Sequence, residues 1–162
     1  MHKWLVFLHV LGAMGFMLAH GGTTAMTLLL KRQRGLDAMR ALLDLSRHSG
    51  PAMGIALLVL LGGGIAAGFT GRWWGEAWIW ISLAILIGIT AVMAWSSRAQ
   101  YHKLRKVLGM PYFDGRREQP APPPAAEAEI YAVQATLRPG LLSVVSFGGI
   151  VLIAWLMMYK PF

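Results

Sequence analysis

The sequence predicts an all-α chain, an integral membrane four-helix bundle, on three observations. Four stretches are long and apolar, none of them carries Asp, Glu, Lys or Arg, and the Lys and Arg residues gather in alternate connections. The stretches run from about Trp4 to Leu30, Pro51 to Phe69, Trp78 to Trp95 and Gly140 to Met158. A helix rising ~1.5 Å per residue needs roughly 20 apolar residues to cross a hydrocarbon core of ~30 Å, and each stretch meets or approaches that length. Composition agrees, with 56% hydrophobic and 14% charged residues and a mean hydropathy of +0.54. A single transmembrane domain therefore accounts for residues 1–162.

The net charge of +8 has a topological pattern. Lys31, Arg32, Arg34, Arg40 and Arg47 lie between the first two spans, and Arg98, Lys103, Arg105, Lys106, Arg116, Arg117 and Arg138 between the last two. Only Lys3, Arg72 and Lys160 fall at the opposite ends, twelve against three. The positive-inside rule then predicts two basic cytoplasmic loops with both termini outside, in a bacterial inner (cytoplasmic) membrane. The loops lack the interleaved aromatics of a base-stacking surface, so anionic lipid heads of the bilayer, not nucleic acid, are the expected partner of these charges.

The first span is too long for the ~7–15 residue core of a secretory signal and lacks a small-residue cleavage site before Lys31, so it reads as a retained helix. His9 and His20 lie eleven residues apart, which returns them to within ~20° of one helical face and separates them by ~16 Å along the axis. Gly12, Ala13, Phe16, Thr23, Thr24 and Thr27 lie near that stripe. Ionisable groups in a bilayer turn inward toward a partner, a cavity or a cofactor, so this face is expected inside the bundle. A neutral imidazole hydrogen-bonded to a hydroxyl or a backbone carbonyl satisfies the same rule without any cofactor.

Residues 36–47 place Leu36, Met39, Leu42 and Leu43 at helical spacing, an amphipathic segment expected to lie on the interface. The second span is rich in glycine, including the triplet Gly62 to Gly64, which allows close helix packing. Trp73, Trp74, Trp78 and Trp80 precede or open the third span and, with Tyr159 and Phe162, suit an outer aromatic belt. Gly109 to Glu129 contains five prolines and scattered charge, the composition of an extended linker that serves as a tether or a docking strap. The fourth span offers Ser143, Ser146, Gly148 and Gly149 as its small face.

Without cysteine, any metal chemistry must use His, Met or carboxylates. His20 is expected near mid-membrane, with His48 at the mouth of the second span and Met53 about one turn deeper; imidazole and thioether both ligate haem iron. His9, nearer the outer face, has no second histidine at its depth, so a two-haem, four-histidine arrangement is excluded and one b-type haem is the expected cofactor. The candidate cofactor-binding set is His9, His20, Met53 and His48. Copper held by His and Met is the weaker alternative. There is no Gly-rich phosphate loop, no His-Glu-x-x-His and no pair of carboxylates within a span, so no catalytic set is assigned.

The opening run Lys3-Trp4-Leu5-Val6-Phe7-Leu8-His9-Val10-Leu11-Gly12-Ala13 resembles the first helix of a superfamily that includes HemJ-type protoporphyrinogen oxidases, copper-resistance D-type membrane proteins and a related uncharacterised bacterial integral-membrane family. Pro51-Ala52-Met53 resembles the Pro-Ala-Met of the HemJ type, Tyr101-His102 a Tyr-His pair there, and Lys160-Pro161-Phe162 its C-terminal ending. The resemblance implies a four-helix bundle and, for the HemJ branch, a b-type haem with a functional first-helix histidine matched by His9. That branch also carries a lysine within its third helix, and Trp78 to Trp95 has none, so the uncharacterised branch fits better and no enzymatic activity is carried over. The expected role is a haem-associated membrane protein serving a redox or respiratory assembly. A noncatalytic accessory subunit of a larger complex, working with partners or as a homo-oligomer, and a copper-related protein are the alternatives.

Overall fold

The structure, a computed structural model, describes residues 1–161 apart from the side chains of His48 and Ser97. It is all-α in its architecture, with α1 at His2–Arg32, α2 at Leu36–Gly71, α3 at Ala77–Val107, a short α4 at Glu127–Ala135 and α5 at Pro139–Tyr159. The only strands among the described residues are the two-residue β1 (Tyr112–Phe113) and β2 (Glu118–Gln119), paired antiparallel. Four helical runs, α1, α2, α3 and α4 with α5, are long and apolar enough to cross a membrane.

All four apolar stretches lie inside helices that extend past them at both ends. The amphipathic segment 36–47 is the first third of α2, which continues through Pro51. Proline removes the N–H that would bond the Arg47 carbonyl, and the rest of the ladder carries the helix past that loss. The hydroxyls of Ser46 and Ser49 also donate back to the carbonyls of Leu43 (2.6 Å) and Ser46 (2.8 Å) in this turn.

Within the spans, α1 and α2 form the tightest pair, and glycine makes it so. A Cβ on Gly63 would stand 2.7 Å from the backbone N of His9, and one on Gly12 would overlap the backbone of Leu60. Apolar side chains gain little by leaving lipid for protein, so backbone-to-backbone van der Waals contact has to hold such pairs. α3 pairs with α5, where Gly149 receives the tip of Ile89. Around the bundle the contacts run α2–α1–α5–α3, while α2 and α3 hardly touch even though only residues 72–76 join them.

The two ends differ. At the basic end, Leu30, Met39, Leu43, Leu104, Leu108, Met110, Ile130 and Leu137 form one buried cluster from α1, α2, α3 and the segment that leads into α5. Helix ends cap each other there: Gln134 donates to the carbonyls of Leu30 (2.7 Å) and Gln33 (2.6 Å) at the end of α1, and Lys31 donates to those of Ala135 (2.6 Å) and Leu137 (2.7 Å) at the end of α4. Residues 109–129 are thus not the extended tether that their prolines suggest. Met110 is buried, the Ala125 N–H donates to the Val107 carbonyl, the middle forms the β1–β2 hairpin, and Gly109 turns the chain at φ +70° against the Pro122 carbonyl.

At the opposite end the aromatic residues cluster. Trp73 meets His2 and Trp78, and Trp74 meets Phe69 and Trp80. The Lys160 ammonium lies 4.5 Å from the Trp73 ring centroid and 5.4 Å from that of Trp78. Phe162, expected in this belt, lies outside the described residues.

Candidate functional site

The gap between the two helix pairs is a cavity of about 740 Å³ in the basic half of the bundle. Thr23 and Thr27 of α1, Ser46 and Ser49 of α2, Tyr101 of α3 and Ser143 of α5 give it a hydroxyl-lined wall. Met53, Leu57, Ile89, Met93 and Ile150 make the apolar remainder. These hydroxyls come from four different helices, a convergence that the polar stripe on α1 announced only for its own part.

His20 belongs to this cavity and is almost fully buried. Its Nε2 stands 2.8 Å from the Ser146 hydroxyl, and that hydroxyl directs its own hydrogen toward the Ser143 carbonyl at 3.2 Å. Donation from Ser146 to Ser143 leaves the Ser146 oxygen to accept from His20 Nε2, the tautomer in which Nδ1 keeps its lone pair; Nδ1 has no hydrogen-bond partner among the described residues. Phe16 stacks parallel to the ring with centroids 6.1 Å apart, and Phe147 tilts against it at 5.2 Å. Ring orientation is thus held on several sides.

His9 has a different setting. Its Nδ1 lies 2.8 Å from the Leu60 carbonyl, which can only accept, so Nδ1 is protonated. Its imidazole lies over Gly64, where a Cβ would come within 2.6 Å of Nδ1. It does not line the cavity. The two histidines share a helical phase, but His9 packs against α2 and His20 against α5, and ~16 Å of axial separation puts them in separate environments. Met53 lines the cavity with His20; the side chain of His48, one helical turn before it, lies outside the described residues. Each described histidine of α1 has the hydrogen bond that a packing role requires, and only His20 also faces space for a ligand.

The rim is cationic. Arg105 is buried and fully engaged, donating to the carbonyls of Pro111 (2.7 Å) and Leu43 (3.1 Å) and pairing with Asp44 at 3.1 Å. Arg47 pairs with Glu118 of β2 at 3.1 Å, tying the hairpin to α2. On the other side the Phe113 N–H donates to His102 Nδ1 at 3.2 Å, tying the hairpin to α3 and leaving the proton of a neutral His102 on Nε2. Arg98 also lines the cavity, with no ion pair or hydrogen bond among the described residues. Below the rim the hydroxyls of Tyr101 and Thr27 are hydrogen-bonded to each other. Arg98 had no distinguishing mark among twelve basic loop residues, whereas the Tyr101-His102 pair stood out by resemblance.

No group of three or more His, Cys, Asp or Glu side chains among the described residues is arranged to hold a metal ion. The donors on the cavity wall, the His20 imidazole and the Met53 and Met93 thioethers, are of the types that serve as axial ligands to haem iron. No family model matches the chain, and no curated protein or solved structure does either.

Proposed function

We propose that this chain is a b-type haem protein of a bacterial inner membrane, with the two basic connections in the cytoplasm, both termini outside and the haem in the cavity on the cytoplasmic half. One observation carries the reading: His20 lines a cavity of about 740 Å³ with its ring fixed by the 2.8 Å contact between Nε2 and the Ser146 hydroxyl, and donation from Nε2 leaves Nδ1 able to ligate. Metal-binding histidines characteristically donate their other ring N–H to a fixed acceptor, which sets tautomer and orientation. Met53 offers a thioether from the α2 wall, and Arg98 and His102 offer donors for the carboxylates of the porphyrin edge. Bound there, haem would supply one-electron chemistry to a larger redox assembly. The chain's part is to fix His20 through Ser146, Phe16 and Phe147 and to surround the ring with apolar wall.

Haem-replete expression followed by oxidised and reduced absorption spectra tests this. The expected result is a Soret band that shifts on reduction, is lost in His20→Ala, is altered in Met53→Leu and persists in His9→Ala. No band in the wild type, or a band lost only in His9→Ala, overturns the assignment. A second reading, a Cu(I) site, is favoured by Met93 joining Met53 and His20 on the cavity wall. Copper bound stoichiometrically by purified protein that lacks a Soret band would select it.

A further inference from the structure

The cavity has one edge that the bundle leaves open. α2 and α3 approach each other at few points, and the ties between them are at the basic end: Arg105 reaches Leu43 and Asp44 directly, and the β1–β2 hairpin bridges them through Arg47–Glu118 and through Phe113–His102. Beneath that bridge the facing walls are small on α2, where Gly50 and Gly54 line the cavity, and are Thr90 and Ala94 on α3. A Cβ on either glycine would meet nothing within 4 Å. Both glycines fall one turn apart on one face of α2, at and just inside the start of its apolar stretch, so the opening is at the depth where headgroup gives way to acyl chain. Its upper lip carries His102, whose Nε2–H is free to donate, and the Arg98 guanidinium, which has no hydrogen bond or ion pair among the described residues.

We propose that the cavity admits an anionic amphiphile sideways from the lipid phase, its carboxylate or phosphate held by Arg98 and His102 and its apolar body passing between α2 and α3. A guanidinium with no hydrogen bond or ion pair among the described residues, at the edge of an apolar wall, is matched by an acidic head, and a neutral His102 can only donate at Nε2. The inference rests on the same cavity as the haem reading but not on iron.

Fluorescent cis-parinaric acid and its methyl ester, titrated into the protein in phosphatidylcholine nanodiscs, test it. The acid should bind at least about tenfold tighter than the ester, in line with one charge-assisted hydrogen-bonded contact. Arg98→Gln should abolish that preference and Arg98→Lys should keep much of it. Gly54→Leu should weaken acid and ester alike by closing the seam. Equal affinity for acid and ester, or a preference that survives Arg98→Gln, overturns the head-group site; unchanged binding in Gly54→Leu overturns the lateral route. Replacing a third of the lipid with phosphatidylglycerol distinguishes the sources: displacement of the acid assigns the site to a phospholipid head, and no displacement to a free carboxylate amphiphile. Parinaric acid contains no iron, so acid preference without a Soret band sinks the haem reading alone, and a Soret band without acid preference sinks this inference alone.

Discussion

The basic end and the spanning half of this molecule are held together by different physics. At the basic end, side chains of α1, α2, α3 and the segment around α4 bury one another, and Met39, Leu43, Leu104 and Leu108 are essentially inaccessible. In the spans, large residues such as Leu58 (72% exposed) and Val151 (66%) face outward, and the close contacts are those of Gly12, Gly63 and Gly149. The accessible surface of 10052 Å² exceeds the roughly 7,900 Å² of a compact soluble chain of this mass, as befits a bundle whose outside is apolar. The contrast shows why the cavity can persist. Where the hydrophobic effect operates, collapse removes voids; in lipid, two helix pairs stay apart unless small residues bring them together, and Gly50 and Gly54 at the α2–α3 edge have open space at their Cβ positions.

The sharpest way to break this comparison is to overfill a glycine contact. Gly63→Leu would drive a side chain into the backbone of His9, which cannot move as a flexible side chain can, so the α1–α2 pair should separate. The expected outcome is loss of a monodisperse species on size exclusion. Gly62→Leu, one residue earlier and with open space around its Cβ position, should leave the elution profile unchanged. Equal behaviour of the two would show that the α1–α2 contact does not govern assembly.

Truncating one leucine in each region comes next in size. Leu104→Ala in the buried cluster should cost about 2–5 kcal/mol, the transfer and cavity cost of a well-packed site. Leu58→Ala, exposed on α2, should cost less than about 0.5 kcal/mol in the same nanodisc, as is usual for surface positions without special contacts. Thermal unfolding of the two variants reads the difference directly, and comparable losses would sink the claim that the regions are built differently.

The two regions were also unequally legible in the sequence. Composition and span length suffice for four helices, because a bilayer demands ~20 apolar residues whatever the packing. The small faces of α1 and α2 were legible as well, and Gly12 and Gly63 do meet the partner backbone. The basic end was not. Five prolines pointed to a tether, yet Met110, Ile130 and Leu137 are buried by long-range contacts that local composition does not encode. Helical phase put His9 and His20 on one face but could not reveal that only His20 meets the space between the helix pairs. That space depends on how sparsely α2 and α3 meet, and Arg98 becomes distinct only when its neighbours' partners are known.

A smaller effect is expected from the mutual caps. Gln134 is buried and supplies both donors of its amide to the last carbonyls of α1. Gln134→Leu keeps the apolar volume and strands the Leu30 carbonyl in the buried cluster, at about 1–3 kcal/mol. Hydrogen exchange should accelerate in α4 and in the last turn of α1 while the spans keep their protection. Acceleration spread evenly through α1 would mean that cap and span unfold as one unit.

The smallest effect belongs to the hairpin, where the cap meets water. The backbone N–H groups of Arg117 and Arg116, 2.9 Å and 2.8 Å from one oxygen of Asp114, and the Gln119 amide, 2.6 Å from the other, hold its carboxyl below the usual carboxylate range. A depressed acid contributes its stability above its unfolded pKa of ~3.9 and loses it as pH falls through the lower folded value. The β1–β2 turn should therefore loosen only below about pH 4, with amide exchange at Arg116 and Arg117 rising beyond the intrinsic pH trend. Asp114→Asn should show raised exchange at neutral pH and no such transition. A transition above that range but below the usual imidazole range would instead implicate His102, which burial and the nearby Arg105 and Arg98 push down and whose Nδ1 accepts the Phe113 N–H, and would make the tie to α3, not the Asp114 turn, the bond that holds the hairpin over the cavity.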